Sequence, residues 1–337
     1  MDERIVILAL TGSFESPSTR LRIIQMSGYL KKFNIDVKIF RYPRNPLNLV
    51  KILQNENYNV IWLQKKMPDF FKNVIFRMVK SPVVFDFDDN LTVRMKPKDG
   101  SYKSKTREIK FNIIKKMAYA FTCGNKFLSN LIEDTQKPFL IYPTPVPVNV
   151  PKKREFKFKF PVKLGWIGLS GGFMYLDKIF PQLEKLNEDM DIKLIVISDR
   201  DYKPECKFIK NIRWKLETQE MEITEFDIGI MPLNTNSPYD KGKCGYKILQ
   251  YMAAGVIAVA ENFGMNREII KNGENGFLIS DNNWYDGLKH VISKLKNYSE
   301  LYKSISVNAI KTVEKKYSFE ALAPKLAEFF KLCKKKS

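Results

Sequence analysis

The feature that most constrains this chain is a rhythm that runs through it twice: short apolar runs of strand length, each followed by a small polar loop and a segment with helical spacing. Residues 4–10 are apolar, 11–17 are small and polar, and 19–33 set Leu21, Ile24, Met26 and Leu30 at roughly helical intervals. Further strands are expected at 36–40, 60–64, 83–86, 120–123 and 139–142. Alternation of this kind predicts a mostly parallel sheet with helices on both faces. Pro143, Pro145, Pro147, Pro151 and Pro161 then interrupt the rhythm. None of them donates a ladder hydrogen bond, so the stretch reads as an extended linker. A second series follows, with strands expected at 162–167, 192–197, 211–214, 228–231, 256–260 and 277–279, and with closing helices near 283–296, 301–316 and 319–332. The fold class is therefore α/β with two Rossmann-like domains, and 337 residues suffice for two separate cores.

The four cysteines, Cys123, Cys206, Cys244 and Cys333, are scattered without a C-x-x-C pair. With no leader-like or spanning apolar stretch, this points to a reducing, cytoplasmic setting without a disulfide framework or zinc cluster. The formal charge is +20, of which +12 falls in residues 1–150. It is densest over 94–126, where Arg94, Lys96, Lys98, Lys103, Lys105, Arg107, Lys110, Lys115, Lys116 and Lys126 face only Asp99 and Glu108. A solvated lysine-rich surface and an anionic membrane face both fit that tract. A nucleic-acid surface fits it poorly, because no reading motif or sustained aromatic interleaving accompanies the charge.

Ligands of parallel α/β sheets bind where strand ends lead into helix N-termini, so the chemistry is sought in those loops. Gly165-Trp-Ile-Gly168-Leu-Ser170-Gly171-Gly172 runs from a strand into a glycine-containing loop whose N–H groups suit an anion, or which forms a tight turn without a ligand. The segment 240–255 is more informative. A helix beginning near Lys243 would put Lys243, Lys247 and Gln250 on one face, and a diphosphate between the two lysines would offset their repulsion. Gly245 belongs to the same stretch, and Asn266 opens the next loop, as a ligand contact or as a helix cap. In the first half, Ser18 and Thr19 are cap candidates, and Arg20 and Arg22 stand where an arginine opposes the helix field unless it meets an anion or an acidic group. Asp86, Asp88 and Asp89 supply such a group; they suit orienting a sugar hydroxyl, holding Mg²⁺ or capping the next segment. His290 is the sole histidine and lies in a closing helix, which excludes histidine triads and multi-histidine metal centres.

Taken in order, the segments 226–233, 242–247, 248–255 and 272–278, with Ser18-Thr-Arg20, Phe85-Asp-Phe-Asp-Asp89 and Gly165-Trp-Ile-Gly168, resemble the retaining glycosyltransferases of the GT-B fold, group 1 or family 4 type. The resemblance covers nearly the whole chain. It implies two Rossmann-like domains facing each other across a cleft: 1–150 on the acceptor side, 151–318 binding the nucleotide-sugar, and a terminal helix, 319–337, that crosses back onto the first domain. It also implies transfer from a UDP- or GDP-linked sugar to an acceptor hydroxyl with retention, in cell-surface glycan or glycolipid synthesis, with no metal and no cofactor beyond the nucleotide-sugar cosubstrate. Catalysis falls to Lys243, Lys247 and Asp88. Donor binding falls to Gly168, Ser170, Gly171, Gly172, Gly245, Gln250 and Asn266, and the acceptor side to Ser18, Arg20, Asp86 and Asp89. An acceptor carried on lipid would suit a peripheral position on the cytoplasmic membrane face, reached through 94–126. One departure stands out: the family's two glutamates, seven residues apart, fall here on Gly242 and Gln250. A non-catalytic nucleotide-sugar-binding relative therefore remains the main alternative, with a nucleic-acid-binding protein and a sugar epimerase on the same fold behind it.

Overall fold

The computed structural model describes residues 4–280 and 283–335. The chain divides into two units: Met1–Pro145, Asn236–Cys244 and Phe319–Ser337 make the first, and Val146–Thr235 and Gly245–Ser318 the second.

The first unit is built on six parallel strands, β1 (Ile5–Thr11), β2 (Ile35–Arg41), β3 (Val60–Gln64), β4 (Val83–Phe87), β7 (Ala120–Cys123) and β8 (Phe139–Ile141), in the order β2-β1-β3-β4-β7-β8. Register runs Ile7 to Val60, Ile61 to Val83, Val84 to Ala120 and Phe121 to Phe139. The central strands β3, β4 and β7 are buried along their whole length; they are mostly apolar, with Gln64, Asp86 and Thr122 as their buried polar members. Between β4 and β7 lies an antiparallel hairpin, β5 (Val93–Lys98) and β6 (Ser101–Lys103), which the sequence reading does not contain. Its turn pair, Asp99 and Gly100, takes φ of 51° and 73°, the left-handed values of a tight hairpin turn.

The segment expected as one helix over 19–33 is helical but irregular: α1 (Pro17–Thr19), a π-helical stretch Arg20–Gln25, α2 (Met26–Leu30) and a 3₁₀ turn Lys31–Phe33. Its cap is Ser16, whose hydroxyl accepts the Thr19 N–H at 3.3 Å, not Ser18 or Thr19, because Pro17 takes the first helical position. Then come α3 (Pro46–Asn55), α4 (Phe70–Met78), α5 (Lys105–Met117) and α6 (Lys126–Asn130); Asn45, Asp69 and Asn125 cap α3, α4 and α6.

Two later pieces of chain complete this unit. Residues 236–244, placed by sequence in the second domain, cluster with the first instead. The reason is polar: Asn125 Nδ2 donates to the carbonyls of Gly242 and Lys243 at 3.0 and 3.2 Å, and Asn90 Nδ2 to that of Pro238 at 3.0 Å, holding the short α9 (Pro238–Lys241). The closing helix α14 (Phe319–Lys335) packs on α2 and β3. Phe319 stacks on Tyr29 at 4.9 Å, and Phe330 sets its edge on Trp62 at 5.1 Å.

The second unit repeats the plan with β9 (Val162–Ile167), β10 (Ile192–Ser198), β11 (Ile209–Arg213), β12 (Ile228–Met231), β13 (Ile257–Glu261) and β14 (Phe277–Ile279), all parallel, in the order β11-β10-β9-β12-β13-β14. Its helices are α7 (Phe173–Asp189), α8 (Gln219–Thr224), α10 (Tyr246–Ala253), α11 (Asn266–Ile269), α12 (Trp284–Lys296) and α13 (Ser299–Lys316). Trp166, Leu183, Val196, Val259 and Leu288 belong to one buried cluster. Gly165 lets the Phe226 ring lie against β9, since a Cβ there would stand 2.0 Å from it. The proline-rich stretch is not a free spacer: Val146 bridges Ser318, and Lys152 Nζ donates to the carbonyls of Val148 and Ala253 at 2.8 and 2.6 Å. Among the described residues no helix is long and apolar enough to cross a membrane.

Candidate active site

In the second unit the site forms around the end of β9. The chain turns at Gly168, passes through a 3₁₀ turn at Ser170–Gly172 and enters α7. Lys247, near the start of α10, reaches this turn: its Nζ lies 5.3 Å from the Trp166 ring centroid, and a Cβ on Gly168 would stand 2.8 Å from its Cε. Strand, loop and helix thus put one ammonium against one glycine turn.

The structure bears on two expectations, the open choice for this loop and the start of α10. Its N–H groups are largely committed inside the protein: Gly168 donates to Ile197 O at 3.0 Å, Gly172 to Leu169 O at 2.8 Å, and Ser170 to Asp199 Oδ1 at 2.5 Å. The Ser170 hydroxyl also donates to Asp199, at 3.0 Å, and the Ser170 N–H is the main cause holding the Asp199 carboxyl below its ordinary range. A carboxylate of the chain itself thus occupies the anion position at Ser170. For α10 the expected start is corrected. It starts at Tyr246, not near Lys243, because Gly245 takes φ +63° and Asn125 holds the preceding carbonyls in the first unit. Lys243 therefore shares no helix face with Lys247; its Nζ lies 4.9 Å from the Tyr239 ring centroid.

Gln250 points elsewhere on α10, donating to Gln219 Oε1 at 3.5 Å, an oxygen that also accepts Trp214 Nε1 at 3.0 Å. The cavity beside Gln250, walled by Pro147, Ile223 and Tyr246, measures about 10 Å³, room for a single water. Asn266 is buried, and its amide donates to Glu261 O at 2.9 Å, closing the loop after β13; it does not cap α11, whose cap position is Met265. His290 is exposed on α12.

In the first unit the ends of β1, β3 and β4 carry a charged network. Arg22, in the π-helical stretch, is fully buried and grips Asp86 with two bonds, Nε to Oδ2 at 3.0 Å and Nη2 to Oδ1 at 2.5 Å. The same guanidinium donates to Tyr142 O at 2.7 Å and lies over the Tyr142 ring. Thr122 Oγ1 adds a bond to Asp86 at 2.6 Å. Asp86 is thus saturated by the protein and presents no free edge to a ligand. Asp88 and Asp89 are different: both are partly open and both pair with Lys65, Asp88 at 2.8 Å. Burial alone would push the Asp88 carboxyl up, but the charges of Lys65 and Arg22, with hydrogen bonds from Lys65 and Ser18, hold it down at about 2. The same two carboxylates raise the Lys65 ammonium against its own burial. Asn90, next in the chain, serves as the local turn cap by accepting the Thr92 N–H at 3.1 Å. Ser18 contributes its carbonyl, which accepts Gln64 Nε2 at 3.2 Å. Arg20 is half-buried, and its Nε hydrogen-bonds nothing among the described residues.

Lys65, Asn125 and Tyr239 were missed from sequence. A lone lysine at a strand end gives no signal; Lys65 shows its importance only in the structure, where it holds a left-handed φ of 53° and donates its N–H to Asp86 O at 2.8 Å. Gly242 has a steric reason. A Cβ there would stand 2.9 Å from the backbone nitrogen and Cβ of Asn90 and 3.1 Å from Leu128, so the space of a glutamate is already filled. With Lys65 and Arg22 neutralising the aspartates, no group of three or more His, Cys, Asp or Glu side chains among the described residues is arranged to hold a metal ion.

With this geometry in place, the fold can be set beside those of known proteins. Over its length the chain is similar in structure to HepE from Anabaena in complex with UDP-glucose, with TM-score 0.72, 14% identity, and coverage of 98% of this chain and 100% of that one. It is similar to sucrose-phosphate synthase from Thermosynechococcus elongatus, with TM-score 0.76, 10% identity, and coverage of 99% and 100%. It is also similar to a glycosyltransferase from Rickettsia africae, with TM-score 0.73, 15% identity, and coverage of 99% and 100%. A search of curated protein sequences gives no match. The fold is that of the GT-B glycosyltransferases. Residues 164–297 match the family described as glycosyl transferases group 1, the family that the sequence motifs resemble.

Proposed function

We propose that the chain is a glycosyltransferase that moves a sugar from a nucleotide-sugar, UDP- or GDP-linked, to an acceptor hydroxyl, with retention at the anomeric carbon. The observation that carries this reading is Lys247 set against the Gly168 turn, inside the region that matches the group 1 family. The similarity to a protein crystallised with UDP-glucose supports the donor class. Lys247, close to the N-terminal end of α10, offsets charge on the departing diphosphate as the glycosidic bond breaks. The acceptor hydroxyl passes its proton to an oxygen of that phosphate, so no histidine base is needed. On the acceptor side the open groups are Asp88, Asp89 and Lys65, with Ser18 hydrogen-bonded to Asp88 and Arg20 two residues along the same segment; Asp86 keeps Arg22 in place. No metal takes part in this scheme. The acceptor is a glycan or a lipid-linked glycan of the cell surface, and the tract 94–126 meets an anionic membrane.

Thermal-shift titration with UDP-, GDP- and deoxythymidine-diphosphate sugars tests the donor class: one series should raise the melting temperature, and no shift with any of them overturns the reading. With the responding donor, Lys247→Ala should lower turnover by more than about tenfold while leaving the melting temperature of the free protein in place. A second reading is favoured by Gly242 and Gln250: nucleotide-sugar binding without transfer. A thermal shift with no donor turnover on any acceptor would select it.

A further inference from the structure

Helix α4 is apolar on both sides. Its inward positions carry Phe76, 2% exposed, with Lys72 and Asn73, while Phe70, Phe71, Val74 and Met78 face outward, Phe71 at 71% and Met78 at 79% exposure. These positions fall on one face of the helix, spaced as i, i+1, i+4 and i+8. The helix packs between α3 and α5, each of which adds one exposed apolar side chain, Leu47 and Ile109. Single exposed leucines need no account, but two adjacent phenylalanines with a methionine on one helix form a patch. The exposed charges on α4, just after it and at the start of the neighbouring α5 are mostly basic: Arg77, Lys80, Lys105 and Arg107, against Asp69 and Glu108. Asp69 is already engaged, capping α4 at the Lys72 N–H and pairing with the Lys72 ammonium.

We propose that this face, Phe70, Phe71, Val74 and Met78 framed by the basic residues of α4 and α5, is where the protein inserts into the surface of an anionic lipid bilayer. The combination of an apolar strip and basic flanks matches the interfacial helix, which buries its apolar face at the headgroup boundary while its cations meet anionic lipid. A second copy of the chain fits less well. A two-fold contact through the same patch sets like beside like, and Arg77, Lys80 and Arg107 would face their own duplicates on a molecule of charge +20. An anionic leaflet removes that conflict. The inference rests on the proposed contact between 94–126 and an anionic membrane, adding the element that enters it, and it does not depend on donor turnover.

Sedimentation of the full chain with vesicles of phosphatidylcholine alone, and of an equimolar mixture with phosphatidylglycerol, tests both layers. The wild type should pellet with the mixed vesicles only, and less as salt rises. Phe70→Ser/Phe71→Ser should lower the bound fraction by about tenfold or more, with an unchanged melting temperature since both rings are exposed. Phe71→Trp should shift its emission to the blue when mixed vesicles are added. If Phe70→Ser/Phe71→Ser pellets like the wild type, or the Phe71→Trp emission stays put while the protein pellets, insertion through α4 is overturned and the charge contact of 94–126 survives. Failure of the wild type to pellet with either vesicle overturns both. A solution dimer that Phe70→Ser/Phe71→Ser dissociates assigns the face to a second copy and overturns the lipid occupant.

Discussion

Arg22 and Asp86 lie 64 residues apart and meet with no exposed surface on either side chain. A buried pair of this kind contributes little relative to an apolar pair of equal volume, but removing one partner strands the other. Arg22→Met should therefore destabilise the first unit by about 3 to 5 kcal/mol in urea unfolding, because Asp86 keeps only Thr122 and Gln64 to face its charge. A loss well under 1 kcal/mol would mean that water reaches the aspartate. Asp88 makes a second, pH-dependent prediction. Its carboxyl is held down at about 2 from an ordinary 3.8, so its stabilising effect is complete above about pH 5 and is lost as pH falls through 3.8 toward 2. The amplitude is about 2 kcal/mol, and Asp88→Asn should flatten that limb of a stability curve measured from pH 5 to 2. The arginine was half legible: a cation near a helix start asks for an acidic partner, and the cluster at the end of β4 was the one on offer. Lys65 was not, since its role depends on β3 and β4 lying side by side with their ends aligned.

At the scale of elements, the strands of both sheets could be read from apolar runs bounded by turn residues, because a buried parallel strand tolerates little else. Boundaries set by remote contacts could not. The run from Lys243 to Gln250 has good helical spacing, yet the helix waits until Tyr246, since Asn125, more than a hundred residues earlier, captures the carbonyls of Gly242 and Lys243. The β5–β6 hairpin had a signal in Asp99-Gly100 that the density of lysines obscured. The glycine at 242 stands where the resembling family carries a glutamate, and restoring that residue is a direct test of whether the change is chemical or spatial. Its Cβ would meet Asn90 at 2.9 Å, closer than real Cβ contacts come. Gly242→Glu should cost about 1 to 3 kcal/mol from overpacking and bring no gain in turnover. A rise in turnover at unchanged melting temperature would show that Asn90 yields and that the carboxylate is wanted.

At the scale of the molecule, the order of the chain and the composition of the units differ. The last helix in sequence belongs to the unit built by the first strands, and its inner face, Phe319, Leu322, Leu326 and Phe330, is buried there against α2 and β3. Each such side chain contributes roughly 1.5 to 3 kcal/mol by leaving water, so the four together rival the 5 to 15 kcal/mol by which a whole domain is usually stable. Removing residues 319–337 should therefore unfold the first unit while leaving the second in place, because the second closes its own core with α12 and α13. Hydrogen exchange resolved along the chain reads both halves of that claim. Amides of β1, β3 and β4 should lose protection in the truncated protein, and those of β9, β12 and β13 should keep it. Protection retained in β3 would reduce α14 to an appendage, and protection lost equally in β12 would make the two units one cooperative structure.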